Sequence, residues 1–166
     1  MNDLDLAGNR LPSTIPQYLA QLRAALDGAD PAMVQDALYD LAMALRAVGG
    51  KPRGRKRLDY RSAERARAFI MEHLHQGITL EMLEKASGRE QWSLSRDFRA
   101  LYGTSPYRFV TLRRLDSFRR LILDGFTLVD AALAAGFHDQ SHMTRHFTRS
   151  YGVSPLRWLE RLRPAC

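Results

Sequence analysis

The sequence predicts an all-α protein, and three observations carry that prediction. Apolar residues recur at spacings of three and four along most of the chain, the period of a helix with one buried face. No segment shows the alternation of a half-buried strand. The glycines fall between the periodic segments, where helix ends belong.

Residues 1–12 carry no pattern. Ile15, Leu19, Leu22 and Leu26 predict a first helix over 14–27, stopped by Gly28. Asp30 is a good N-cap and Pro31 suits a first helical position. From there Val34, Leu38, Leu41, Leu45 and Val48 repeat at four and three, a short heptad seam on a helix over 31–48 that Gly49-Gly50 ends. That seam has two readings: it closes an intramolecular hairpin with the first helix, or it joins two chains in a weak homodimer through residues 14–48. Residues 51–58 read as a basic linker, either a solvated tether or an arm touching phosphates. The domain reading is therefore a helical hairpin at 1–50, a linker at 51–58 and a body at 59–166. Within the body, helices are predicted near 60–76, 79–87, 91–102, 106–123, 127–135, 139–150 and 155–162. Gly77, Gly88, Gly103, Gly125, Gly136 and Gly152 lie between or just after them.

Composition narrows the function. With 45% hydrophobic and 26% charged residues, the 166-residue chain is an ordinary soluble globular one. No apolar run approaches the ~18–20 residues needed to span a bilayer. The N-terminus lacks the order of a secretory signal, and Cys166 is the only cysteine, so a reducing, cytoplasmic setting is expected. Residues 1–50 hold three basic against six acidic side chains, whereas residues 51–166 hold 22 basic against 12 acidic. All but Lys51, Lys56 and Lys85 of those 22 are arginine, whose planar fork suits phosphate and guanine. A mildly acidic head on a basic body points to nucleic acid.

The body contains a degenerate duplicate. TLEMLEKASG from Thr79 matches TLVDAALAAG from Thr127, and LSRDFRALYGTSP from Leu94 matches MTRHFTRSYGVSP from Met143 with one extra residue in the turn. Each copy reads as a short helix, a glycine turn and a longer helix, the layout of a helix-turn-helix at about 79–102 and 127–150. At ~100° per residue, Leu94, Phe98 and Leu101 share one face of the first long helix. Trp92, Ser95, Arg96 and Arg99 share the other. In the second copy Met143 and Phe147 point inward, and Gln140, Ser141, Thr144, Arg145, Thr148 and Arg149 outward. Leu94, Phe98, Met143 and Phe147 are thus expected in the core. Arginine among small polar residues suits base readout, while a solvated or salt-bridged arginine is the alternative; the matched placement of Arg96 and Arg145 favours readout. His138, His142 and His146, four apart, could chelate a metal, but no cysteine or carboxylate cluster completes a closed site, so DNA contact is preferred and no metal or cofactor is expected. No phosphate loop, nucleophile elbow or catalytic carboxylate pair is present, which argues against an enzyme.

These residues resemble the AraC/XylS family of bacterial transcription regulators over about 60–163. The most specific stretches are Ala134-Ala135-Gly136-Phe137-His138-Asp139-Gln140-Ser141-His142-Met143-Thr144-Arg145-His146-Phe147 and Tyr151-Gly152-Val153-Ser154-Pro155-Leu156-Arg157-Trp158. The resemblance implies a seven-helix tandem helix-turn-helix domain, with a central helix at about 106–123 joining the two motifs. Eighteen residues at ~1.5 Å give ~27 Å, compatible with major-groove segments ~34 Å apart. It implies base contacts from Trp92, Ser95 and Arg96, with Gln140, Ser141 and Arg145 as their counterparts. Double-stranded operator DNA is the implied partner, with RNA polymerase as a further one. Family members commonly carry a long N-terminal sensor domain; here about 58 residues precede the body. Two readings follow, a fragment of a longer regulator or a member whose accessory element is the helical hairpin. The alternative function is an interaction module that pairs with a longer relative through residues 14–48.

Overall fold

A computed structural model describes residues 14–27, 34, 37–42, 44–45 and 57–162. The chain divides between Leu58 and Asp59 into two compact units. Among the described residues the ordered elements are all helices. Gly28, Asp30, Pro31, Val48, Gly49-Gly50, most of the linker and Cys166 lie outside the described residues.

The first unit holds α1 (Thr14–Asp27) and further helical backbone at 34, 37–42 and 44–45. Ile15, Ala25, Ala37 and Tyr39 are buried, while Leu19, Leu26, Leu38 and Leu45 are exposed by 44–59%.

The second unit contains α2 (Tyr60–Glu72), α3 (Leu80–Ser87), α4 (Gln91–Tyr102), α5 (Pro106–Leu123), α6 (Leu128–Ala134), α7 (Gln140–Tyr151) and α8 (Pro155–Leu162). Local chemistry sets the boundaries. Asp59, Thr79, Ser105, Thr127 and Asp139 each accept a backbone N–H of the following turn, and Pro106 occupies the first position of α5. Gly88, Gly103 and Gly152 end α3, α4 and α7. Helix α2 stops at Glu72, four residues short of its expected end, and Gly77 does not cap it. The reason is tertiary. The His73 ring stacks on Phe69 at 4.1 Å, and Arg114 of α5 donates to the carbonyls of Leu74 and Gln76. Carbonyls satisfied from outside need no further helical turn.

Two cores share the central helix. Ala63, Ala66, Ile70, Leu74, Leu83, Leu94 and Phe98 pack with Val110 of α5. Ala131, Ala132, Ala135, Phe137, Met143 and Phe147 pack with Leu115, Phe118 and Ile122 farther along the same helix. So α5 lends one end to α2–α4 and the other to α6–α7. Leu94, Phe98, Met143 and Phe147 are buried as expected, and each phenylalanine contributes ~1.5–3 kcal/mol by leaving water. Leu101 is a correction: it is 38% exposed. Tyr102 takes the place predicted for it, with its ring 4.5 Å from Phe98 and 5.8 Å from Phe109.

Candidate nucleic-acid interface

Helices α4 and α7 present the sequence-predicted faces. On α4, Trp92 is 48% exposed and Ser95, Arg96 and Arg99 are half-buried. Arg99 donates to Ser95 one turn earlier. On α7, Ser141, Arg145, Thr148 and Arg149 are exposed, and Gln140 and Thr144 are half-buried. The two faces are equivalent in sequence but not in detail. Arg96 does not extend into solvent like a simple surface arginine. Its Nε and Nη2 donate to Oδ1 of Asp97 at 3.0 and 2.7 Å. Arg145 is followed by His146 instead of a carboxylate.

Asp97 is the residue that sequence reasoning missed. It is fully buried, and its second oxygen accepts from the Asp59 backbone N–H at 3.1 Å and from Arg89 Nε at 3.2 Å. One carboxylate thereby ties the start of α2, the turn between α3 and α4, and the outward face of α4. Pairing with two arginines offsets the cost of burying its charge. A usable signal existed: Asp97 falls near the inward face of α4, where a carboxylate needs cationic partners. Two further clamps hold this unit. Arg65 of α2 donates to the Ser87 carbonyl at the end of α3, with Nε at 3.1 Å. Glu84 accepts from the Gln91 backbone N–H at 2.6 Å, which fixes the turn.

The histidines require a second correction. His146 is buried, and its Nε2 lies 2.9 Å from Nε2 of His142, one nitrogen donating to the other. Both rings pack toward Phe137, at 5.9 and 6.2 Å, and His146 also toward Tyr107 at 6.4 Å. His146 therefore serves the packing of α7, not an outward contact. His138 is set apart, 91% exposed and beside Asp139. Among the described residues no group of three or more histidines, cysteines or carboxylates could hold a metal ion.

The two motifs meet at a junction. Arg114 Nε donates to the Leu74 carbonyl at 2.8 Å, and burial pulls its guanidinium below the usual arginine range. A Cβ placed on Gly136, in the α6–α7 turn, would lie 3.0 Å from Arg114 Nε, the Leu74 carbonyl oxygen and the His75 Cα. The turn of the second motif is thus seated on the end of α2. Arg119, also on α5, stacks over Trp158 and Tyr151 at 4.9 and 5.2 Å and holds α7 and α8.

Comparison with known proteins places this arrangement. A family model described as a helix-turn-helix domain matches residues 83–161, from within α3 into α8. The virulence regulon transcriptional activator VirF of Yersinia enterocolitica is 31% identical over 113 residues, which is 68% of this chain and 38% of that protein. A probable AraC family transcriptional regulator from Rhodopseudomonas palustris is 27% identical with a TM-score of 0.54, covering 62% of this chain and 98% of that one. The chain belongs to the AraC family. Within this AraC-type fold, the DNA-binding domain of AdpA, solved in complex with a target DNA, aligns with a TM-score of 0.57 and 27% identity over 62% of this chain and 93% of its own. The AraC-type chain spans little more than a third, 38%, of the length of the first relatives it matches. No helix among the described residues is long and apolar enough to cross a membrane.

The caps of this AraC-type unit make it acid-sensitive in a defined way. The His142 backbone N–H, and then the His138 side chain, hold the Asp139 carboxyl below its ordinary 3.8. The Ser62 hydroxyl and backbone N–H do the same for Asp59. A carboxylate depressed in the folded state stabilises it at neutral pH; that contribution fades as the pH falls through 3.8 and is gone below the native value. Asp139→Asn keeps a capping oxygen and removes one titration. Its melting temperature should therefore fall less steeply than wild type between about pH 5 and pH 2, by circular dichroism. Parallel curves would assign the acid sensitivity to other groups.

Proposed function

We propose that this chain is a sequence-specific, non-catalytic regulator of transcription that binds duplex DNA through α4 and α7. The observation that carries the reading is the likeness of 62% of this chain to 93% of a domain solved on its target DNA. The residues support it chemically. Each long helix is anchored by a buried phenylalanine on a shared 18-residue central helix and turns arginine and small polar side chains away from the core. Trp92, Ser95, Arg96 and Arg99 form the reading face of α4. Gln140, Ser141, Thr144, Arg145 and Arg149 form that of α7. The basic excess of residues 51–166 supplies backbone affinity that weakens with salt.

Selection from a random duplex pool tests this, followed by variants on the recovered site. Arg96→Ala should weaken specific binding by ~1–3 kcal/mol and leave random DNA bound almost as before, measured at a temperature where circular dichroism shows the variant folded, since it also removes one partner of the buried Asp97. Equal losses on specific and random DNA would reduce Arg96 to a phosphate contact. The exposed Leu19, Leu26, Leu38 and Leu45 support a second role for residues 14–48, weak self-association. Sedimentation of the full chain should then show a concentration-dependent dimer that Leu19→Glu/Leu38→Glu abolishes; a monomer at all concentrations removes that role.

A further inference from the structure

We propose that Asp97 is a positioning residue: it holds the Arg96 guanidinium by one edge so that the other edge reads a guanine. The inference rests on the DNA-reading role proposed for α4.

Neighbouring side chains on a helix diverge by ~100°, so Arg96 and Asp97 do not meet by default. Arg96 bends back to place Nε and Nη2 on a single oxygen, Oδ1. The carboxylate cannot swing away with it. It is fully buried, and Oδ2 is held by the Arg89 side chain and by the Asp59 backbone N–H. A guanidinium carries five N–H groups in one rigid plane. With the Nε/Nη2 edge taken, the Nη1/Nη2 edge retains two parallel donors. Guanine offers two acceptors, N7 and O6, at the matching spacing in the major groove; adenine offers one acceptor and one donor there. The Arg96 side chain keeps 29% of its surface exposed, so the pairing does not seal it. Holding the fork in advance also removes rotamer entropy that a free arginine loses on binding.

The duplicate supplies an internal control. In α7 the residue following Arg145 is His146, which is buried and bonded to His142. Base pairs read by α7 should therefore be indifferent to Asp97.

The test uses the full chain and the duplex it selects from a random pool, with affinities measured at one salt concentration for that duplex and its single-base-pair variants. Arg96→Ala should flatten a preference for one G·C pair by about tenfold or more. Asp97→Asn should erode the preference at that same pair by about tenfold and leave the other pairs alone. Arg89→Met, which removes one of the two groups that pin Oδ2, should erode the preference at that pair by less than Asp97→Asn does, because the Asp59 backbone N–H still holds the carboxylate. Arg96→Lys, a point charge without the fork, should behave like Arg96→Ala. Equal weakening at every pair by Asp97→Asn, or an intact guanine preference, overturns the assignment. So does a guanine preference that survives Arg96→Lys, the deciding variant should Asp97→Asn prove unfolded by circular dichroism at the assay temperature. A pool that yields no enriched site with the wild-type chain refutes the DNA-reading role itself. A site that is selected but nowhere flattened by Arg96→Ala refutes only the roles of Arg96 and Asp97.

Discussion

Gly136→Ala is expected to destabilise the AraC-type unit by roughly 3 kcal/mol or more, lowering its melting temperature by about 10 °C or more. Two costs add. The residue sits at φ +91°, where a side chain is strained. Its new Cβ would also press at 3.0 Å on two backbone atoms, the Leu74 oxygen and the His75 Cα, which cannot rotate aside. Gly88 is the matched position of the first motif and also has a positive φ, +66°, but its nearest neighbour would be the flexible end of Arg65 at 3.8 Å. Gly88→Ala should therefore cost only about 1 kcal/mol, the backbone term alone. Equal melting temperatures for the two variants would show that the second turn is not seated on the end of α2. The comparison bears on the proposed function because that seat, with Arg114, joins the turn before α7 to the end of α2.

Phe147→Ala should cost about 3–5 kcal/mol, and the damage should be local. Phe147 is fully buried, with Phe118, Tyr151 and Trp158 rings at 5.7, 4.5 and 5.8 Å. The core around Phe98 shares α5 with it but comprises different residues. Amide exchange should show protection lost first from α6, α7 and α8, with α2–α4 retained; Phe98→Ala should reverse the order. Simultaneous loss throughout the unit would mean that the Arg114–Gly136 junction makes the two cores one cooperative body.

Much of this protein was legible in its sequence because the signals are local. α4 and α5 span the residues expected of them, and α8 begins at Pro155 as expected. The inward row of Leu94, Phe98, Met143 and Phe147 follows from helical period alone. The misses share a cause. Leu101 lost its place to Tyr102, whose larger ring reaches Phe98 and Phe109. Arg96, read as outward, was drawn back by a carboxylate whose buried position depends on Asp59 and Arg89.

The sequence by itself determined the helices, their duplicate arrangement, the arginine at the same place in both motifs and the family. Caps, periodicity and turns act over a few residues and need no knowledge of what lies across the fold. Only the tertiary structure decided that α2 ends at Glu72, that Gly136 rests on that end, that Asp97 grips Arg96, and that His146 is buried against His142. Those outcomes pair groups up to 62 positions apart, as at Leu74 and Gly136. They arise because a buried charge or an unsatisfied carbonyl must find a partner wherever packing has brought one within reach.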